Sequence, residues 1–260
     1  MMNTSRSVSA SATQNSKVNS DTTQIKQINL QKSKVATANF TDCMVKWSRC
    51  ALFALLKEPA ITTRGKIESI PSGTQVFAAP HPRAAILATP GMSIWSLPDL
   101  TSKDLVACTW LTGRPEVPEI VLISMYADGT LLNPISRELI AAINYCESRR
   151  LPLILGVDTN SHSVTWGHPD NNTRGDAFED FIAGHPLHIL NRGSLPTYQT
   201  SRAQSVIDVT LASHTIQDLI VNWEVCRENY LSDHKCIQME LTLAQPPPAP
   251  VKNWRKTEWP

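Results

Sequence analysis

Apolar and polar positions divide the chain into short, strongly apolar runs and a few segments with helical spacing. Apolar runs with few polar interruptions predict strands that are mostly buried on both faces. The predicted strands are "QINLQ", "ALFALL", "RAAILA", "DLVACTWL", "EIVLISMY", "LPLILGV", "SVIDVTLAS", "IVNWEVC" and "CIQMELTL". Many strands with few helices between them predict two packed sheets with helices on the outside.

Helical spacing predicts helices in "KSKVATANFTDCMVKWS", "NPISRELIAAINYCESRR" and "TRGDAFEDFIAG". In the second of these, Asn133 is the predicted N-cap and Pro134 fits the first helical position. Gly184 is predicted to close the third helix.

The two ends of the chain differ from its centre. Residues 1–23 are rich in Ser, Thr, Asn and Gln, which predicts a disordered tail. Residues 24–242 form the predicted folded domain. Residues 243–260 contain "AQPPPAPVKNWRKTEWP", a proline-rich linker with a basic tail, which suggests a longer parent protein.

Composition narrows the class of protein. Hydrophobic residues make up 42% of the chain and the formal net charge is +1, so charge alone gives no sign of a nucleic-acid partner. None of the six cysteines lies in a C-x-x-C pair, and several lie in apolar runs, which favours free thiols in a reducing compartment. Without a secretory signal or an apolar run long enough for a bilayer, the sequence predicts a soluble intracellular protein.

Polar side chains recur where the predicted strands begin or end, and rigid scaffolds display functional groups at such positions. A cap or a turn would explain any one of these residues, but not the whole set. The set is Asn29, Glu58, Tyr126, Asp158, Asn160, Asp208, Asp233 and His234.

These residue types form a coherent chemical set. Carboxylates such as Glu58 are hard oxygen ligands that suit Mg²⁺ together with substrate phosphate oxygens. His234 can carry a proton near neutral pH, and Asp208 could hold its imidazole in one tautomer. Tyr126 offers a hydroxyl for a developing charge. Together they indicate metal-assisted hydrolysis of a phosphodiester.

Other metal sites fit the sequence less well. An EF-hand loop starting at Asp158 would need Gly and Glu where the chain has Ser163 and Pro169. A zinc site from His162 and His168 lacks cysteine partners and the H-x-x-x-H spacing, so a structural or surface role is favoured for both.

The order of motifs resembles the endonuclease/exonuclease/phosphatase superfamily, and within it the endonuclease domain of non-LTR retrotransposons. The resemblance covers about residues 24–242 and rests on "INLQKSK", "LLKEPAI", "ISMYAD", "LILGVDTNSHSVTWG", "TRGDAFEDFI", "LNRGSLPTYQTSRAQSVIDVTLAS" and "YLSDHKCIQMEL". The segments "DTNSHSVTWG" and "NRGSLPTY" indicate the retrotransposon branch.

This resemblance implies a deoxyribonuclease-like α/β fold, a four-layer sandwich of two packed mixed β-sheets flanked by helices. It implies an endonuclease that depends on Mg²⁺, with Mn²⁺ as a possible substitute, and that nicks one strand of double-stranded DNA. The 3′-hydroxyl left by the nick would prime reverse transcription in the nucleus, by a reverse transcriptase domain of the longer parent. The alternatives are an abasic-site repair nuclease or phosphatase of the same fold, or a catalytically silent DNA-binding remnant.

The resemblance also assigns roles. Asp158 would orient or activate the attacking water, Asn160 would hold the scissile phosphate, and Tyr126 would contact it. Asp208 would pair with His234, with support from Ser205. The implied metal ligands are Glu58, Asn29 and Asp233. The predicted DNA contacts are Arg174, Arg192, Tyr198 and Arg202.

The chain departs from the family pattern at two places. Lys57 precedes Glu58 where the family often has Gln, and Thr159 stands between Asp158 and Asn160 where an aromatic residue is common.

Overall fold

The computed structural model describes residues 22–47 and 51–243. The predicted disordered tail up to residue 21, the proline-rich linker from residue 244 and Cys50 lie outside the described residues. Thr22 and Thr23 pair with Thr242 and Leu241 and so belong to the first strand.

In chain order the strands of the described residues are β1 (Thr22–Asn29), β2 (Leu52–Lys57), β3 (Gln75–Phe77), β4 (Ala84–Ala88), β5 (Ile94–Ser96), β6 (Leu105–Leu111), β7 (Glu119–Tyr126), β8 (Leu153–Asp158), β9 (Leu187–Ile189), β10 (Tyr198–Gln199), β11 (Gln204–Ser205), β12 (Asp208–Ser213), β13 (Ile220–Val225) and β14 (Ile237–Thr242). The helices are α1 (Lys34–Trp47), α2 (Arg137–Arg149) and α3 (Thr173–Ala183).

Twelve strands form two six-stranded sheets. The first sheet has the order β13-β14-β1-β2-β4-β3, and the second has the order β5-β6-β7-β8-β12-β9. Both sheets are mixed, because β1 is parallel to β2 and β7 is parallel to β8 while their other neighbours are antiparallel. Strands β10 and β11 form a separate two-stranded hairpin.

Alternate residues of each central strand face the space between the two sheets. Phe53 and Leu55 of β2 lie in the same apolar cluster as Ile154 of β8 and Ala212 of β12. The intervening residues of the first sheet pack against α1, and those of the second sheet pack against α2 and α3. The molecule therefore has four layers, as predicted, and the strands are buried on both faces because each sheet is covered on both sides.

Helix α2 begins later than the sequence predicted. Its N-cap is Ser136, whose hydroxyl accepts a hydrogen bond from the Leu139 N–H at 3.1 Å. The Asn133 side chain instead accepts from the Ile135 N–H at 2.9 Å and forms a turn before the helix. The prediction of Asn133 as N-cap was therefore wrong, because two capping residues lie close together and only the second leads into helical backbone. Gly184 does close α3.

Several short elements escaped prediction. Strands β3, β5, β9 and β10 have at most three residues each, too few to show an alternating pattern. The predicted strand "SVIDVTLAS" is divided, because β11 pairs with β10 while β12 joins the second sheet. No helix within residues 22–47 and 51–243 is long and apolar enough to cross a membrane.

Candidate active site

One edge of the sandwich collects the polar residues that the sequence placed at strand ends. Strands β1, β2, β7 and β8 end there, and β12 begins there. The register sets Asn29 beside Lys57, and it sets Asp158 beside both Tyr126 and Asp208. The alternation of each strand aims these side chains at the space between the sheets.

The Asn29 side chain joins the two halves of this edge. Its amide nitrogen donates to Asp158 Oδ2 at 2.8 Å and lies 3.3 Å from Glu58 Oε2. Its carbonyl oxygen accepts from the Gln31 N–H at 2.8 Å. One amide of the first sheet thus brings a carboxylate from each sheet close together.

Glu58 lies directly after β2 with a positive φ of 42°. Lys32 Nζ is 3.1 Å from its carboxylate, although most of the Lys32 side chain is exposed. The turn directs Glu58 toward the common edge.

Asp208 and His234 form a buried pair. His234 Nδ1 is 2.8 Å from Asp208 Oδ2, and the two residues are 5% and 1% exposed. Burial disfavours the charged imidazole, but the nearby charge of Asp208 and its hydrogen bond outweigh that cost and raise the pKa of His234 to about 9. His234 is therefore an imidazolium at neutral pH.

The Asp158–Asn160 segment is held in a tight turn. The Asn160 N–H donates to Asp158 Oδ1 at 3.1 Å, and Asn160 adopts a φ of 46°, which Asn tolerates better than most residues. The Asn160 amide nitrogen donates to the Ala127 carbonyl at 3.0 Å. The Thr159 hydroxyl donates to the Ile207 carbonyl at 2.8 Å, so Thr fixes this turn to the segment before β12.

Burial raises the pKa of Asp158 to about 6, with a further contribution from the charge of Asp208. A carboxylate with this pKa is ionised at neutral pH and still able to accept a proton, which suits a general base.

Tyr126 lies under a guanidinium that the sequence analysis missed. Arg83 is 4.8 Å from the centre of the Tyr126 ring, and it bonds Asp104 at 2.6 Å and Asp128 at 2.7 Å. Burial, followed by the charges of Glu58 and Asp158, raises the pKa of Tyr126 to about 12, so its hydroxyl is a neutral donor. Arg83 begins the run "RAAILA", and the strand-end criterion could have found it.

Asp233 lies at the exposed rim of the edge. Its backbone N–H donates to Gln31 Oε1 at 2.9 Å, and Gln31 Nε2 is 3.3 Å from Asp233 Oδ2. Gln31 is thus a second residue that the sequence analysis missed, and it ties Asp233 to the segment after β1.

The predicted DNA contacts occupy different surroundings. The Arg174 guanidinium donates to the backbone carbonyls of Leu131, Thr159 at 2.9 Å and Asn160 at 3.1 Å. Its observed partners are therefore parts of the site, and its contact with DNA stays a prediction. Tyr198 packs against His234 with ring centres 5.0 Å apart. Arg192 and Arg202 are exposed.

Ser205 does not support Asp208, contrary to the prediction. Its hydroxyl is 3.2 Å from His162 Nε2, because β11 turns away from the second sheet to pair with β10. The Asp208 backbone N–H donates instead to the Thr197 hydroxyl at 3.0 Å.

His162 and His168, which the sequence set aside, lie together in the structure. Their rings stack with centres 3.7 Å apart and an interplanar angle of 15°. Asp170 Oδ1 is 3.0 Å from His168 Nδ1 and 3.4 Å from His162 Nδ1. Together with Asp170 the two rings offer three ligand atoms within 4.8 Å of one another, one fewer than the four that a structural zinc site uses, so this arrangement favours a structural cluster.

Lys57 is the unexpected member of the site. It is 0% exposed, and its ammonium nitrogen has no hydrogen-bond partner among the described residues. Burial lowers the pKa of Lys57 to about 7, against the opposing attraction of Asp208 and Asp158.

Comparisons with known proteins agree with this architecture. Residues 120–238 match the family model described as "Endonuclease-reverse transcriptase". The endonuclease domain of TRAS1, a telomere-specific non-LTR retrotransposon, is 28% identical, with a TM-score of 0.72 over 86% of this chain and 100% of that domain. No curated protein sequence matches significantly.

More distant structures share the fold. The AP endonuclease LMAP from Leishmania major is 11% identical, with a TM-score of 0.65 over 85% of this chain and 88% of that one. The catalytic domain of Xenopus laevis APE2 is 13% identical, with a TM-score of 0.60 over 83% of this chain and 90% of that one.

The paired six-stranded sheets, the family-model match and the likeness to TRAS1 show that this chain has the nuclease fold of the endonuclease/exonuclease/phosphatase type and is similar to the endonuclease domains of non-LTR retrotransposons.

Proposed function

We propose that this chain is a DNA endonuclease that depends on a divalent metal and nicks one strand of double-stranded DNA. The nick leaves a 3′-hydroxyl, which primes reverse transcription by a reverse transcriptase domain of the longer parent protein. Chromosomal DNA is the substrate, so the activity belongs in the nucleus. The observation that carries this proposal is the convergence of acidic, amide, phenol and imidazole groups on one edge of the sandwich.

The residues present fit Mg²⁺, with Mn²⁺ as a substitute. Hard oxygen donors dominate the edge, and the carboxylates of Glu58 and Asp158 lie within reach of a single Asn29 amide. Glu58, Asn29 and Asp233 would hold the ion. Asp158, Asp208 and His234 also place ligand atoms within 4.8 Å of one another, but the hydrogen bond between Asp208 and His234 already occupies two of these atoms. When bound, the ion supplies positive charge to the phosphate and lowers the pKa of water.

The chain's own residues would carry the remaining chemistry. Asp158 accepts the proton of the attacking water, because its pKa lies just below neutral pH. The second N–H of the Asn160 amide is left for a phosphate oxygen. The His234 imidazolium and the Tyr126 hydroxyl stabilise the negative charge that develops on the phosphate.

The test is nicking of a supercoiled plasmid by the purified protein. Mg²⁺ should support conversion to open circles, EDTA should stop it, and a DNA polymerase should extend the nicks without prior phosphatase treatment. Glu58→Gln should be inactive. Glu147→Gln should cut normally, because Glu147 lies on α2 and pairs with His185 rather than with any residue of the site.

Undiminished cutting in excess chelator would contradict the metal requirement. A strong preference for abasic over intact duplex would favour the repair nuclease instead. A folded protein that binds duplex DNA but never cuts it would indicate a silent DNA-binding remnant.

A further inference from the structure

Beneath the active site lie two buried polar atoms without a hydrogen-bond partner, one a donor and the other an acceptor. Among the described residues, the buried side-chain atoms without a hydrogen-bond partner are Lys57 Nζ, Asp208 Oδ1 and Gln217 Oε1. Such atoms are rare in folded proteins and call for an explanation. Two of the three belong to neighbouring parts of the site described above.

Strand alternation aims Lys57 at the second sheet. Phe53 and Leu55 belong to the apolar cluster between the sheets, and Lys57 follows in the same alternation at the end of β2. Asp208 is likewise on the inner side of its strand, because Ala212 of the same strand lies in that cluster. Lysine and carboxylate therefore enter the same interlayer space from opposite sheets.

Charge couples these groups. Asp208 exerts the largest attraction on the Lys57 ammonium group, and Asp158 exerts the next. His234 holds Oδ2 of Asp208, which leaves Oδ1 as the acceptor without a partner. No hydrogen bond joins Lys57 Nζ to this oxygen, so the lysine acts on Asp208 through its charge.

Stability does not explain a lysine here. Removing an ammonium group from water is costly, and an apolar side chain of similar volume is often as good or better for stability. Lys57 also stands where the family often has Gln, so the fold does not require it.

We propose that Lys57 is a positioning residue of the active site, whose positive charge attracts the Asp208 carboxylate across the interlayer space and fixes it for His234. This inference deepens the proposed nuclease function and rests on it. Lys57, Asp208 and His234 then form one array, in which the lysine acts from beneath and never touches DNA because it is fully buried.

The first test is Lys57→Met, which removes the charge and keeps most of the volume. Single-turnover nicking should slow roughly tenfold or more, because small displacements of catalytic groups are costly, while the DNA concentration for half-maximal rate stays unchanged. Thermal stability should stay equal or rise. If Lys57 had only a structural role, the slower nicking of this variant would be accompanied by lower thermal stability.

The matched control is Lys26→Met. Lys26 is also buried in the first sheet, at 4% exposure, but it lies on the opposite face and donates to Gln238 at 2.7 Å. This variant should nick at the unmutated rate. On an Asp208→Asn background, Lys57→Met should add no further loss, since the two residues act as one unit.

A second measurement does not depend on nicking. The proton between His234 Nδ1 and Asp208 should give a downfield NMR resonance that shifts or broadens in Lys57→Met and in Lys57→Gln, but not in Lys26→Met. Lys57→Gln also guards against a folding failure of the methionine variant. If the unmutated protein cuts no DNA, the proposed function fails while this resonance still tests the array. An unchanged resonance and rate in both Lys57 variants would overturn the inference.

Discussion

Asp158 and Asp208 lie side by side on neighbouring strands, yet their surroundings give them different chemistry. Asp208 bonds an imidazole, whereas Asp158 is bonded by the Asn29 amide and the Asn160 N–H. Burial and the charge of Asp208 raise the pKa of Asp158 to about 6, while burial opposes the charged form of His234 but the charge of Asp208 outweighs it and raises the pKa of His234 to about 9. At neutral pH Asp158 is thus a carboxylate and His234 an imidazolium, which suits the roles of base and acid proposed above.

Replacing His234 tests this division at the level of one residue. His234→Ala should lower single-turnover nicking at least about a hundredfold, as is typical of losing a general acid or base, while duplex affinity changes much less. Asp208→Asn should show a smaller loss, because it disturbs the orientation of the ring and leaves it in place. Circular dichroism should show that both variants fold.

The pH dependence of the free energy of unfolding tests the His234–Asp208 pair independently of nicking. The folded-state pKa of His234, about 9, exceeds the ordinary value of 6.5. Its pairing therefore stabilises the folded state fully below about pH 6.5 and loses that contribution as the pH rises through about 9. The metal-free protein and His234→Ala should differ most in unfolding midpoint at low pH. A constant difference across this range, or nicking by His234→Ala at the unmutated rate, would show that another histidine matters.

At the level of elements, the segment after β8 is held in place by the start of α3. Arg174 donates to the carbonyls of Thr159 and Asn160, and Asn172 caps α3 by accepting from the Gly175 N–H at 2.8 Å. A Cβ on Gly175 would lie 1.8 Å from the His162 carbonyl oxygen. The glycine of "TRGDAF" therefore allows α3 to approach the segment that follows β8.

Gly175→Ala should displace this helix start. Because the clash is with backbone, we expect a loss of about 1–3 kcal/mol in the free energy of unfolding, measured by urea denaturation. Nicking should also weaken, since Arg174 moves with the helix. The matched control is Gly184→Ala at the other end of α3, where an added Cβ meets its nearest atom at an ordinary 3.5 Å. Equal stability of the two variants would contradict the proposed role of the close approach.

At the level of the whole molecule, the balance of charge limits how DNA is bound. The formal net charge is +1, and Arg83 and Arg174 bond to groups of the protein itself. Because acidic groups nearly balance the basic ones, the net attraction to phosphates is small, and we expect binding to rely on a small number of local contacts.

Duplex affinity should accordingly fall with salt along a shallow slope, equivalent to about three to five released counterions. Titration of a labelled duplex at several salt concentrations, with EDTA present to prevent cutting, measures this slope. A flat line would argue against recognition of the DNA backbone. A much steeper one would indicate that a strongly basic surface contacts the DNA.

Local sequence patterns are sufficient to predict the layers and the edge at which the candidate site lies. Apolar periodicity is local, so it predicted most of the long strands, and polar residues at their ends predicted Asp158, Asp208 and His234. Which side chains meet across the interlayer space depends instead on how the two sheets pack. Lys57 enters the same interlayer space as Asp208, Arg83 lies over the Tyr126 ring, and Ser205 contacts His162 rather than Asp208. These arrangements join residues from distant parts of the chain, and packing of the two sheets, rather than any local pattern, sets their partners.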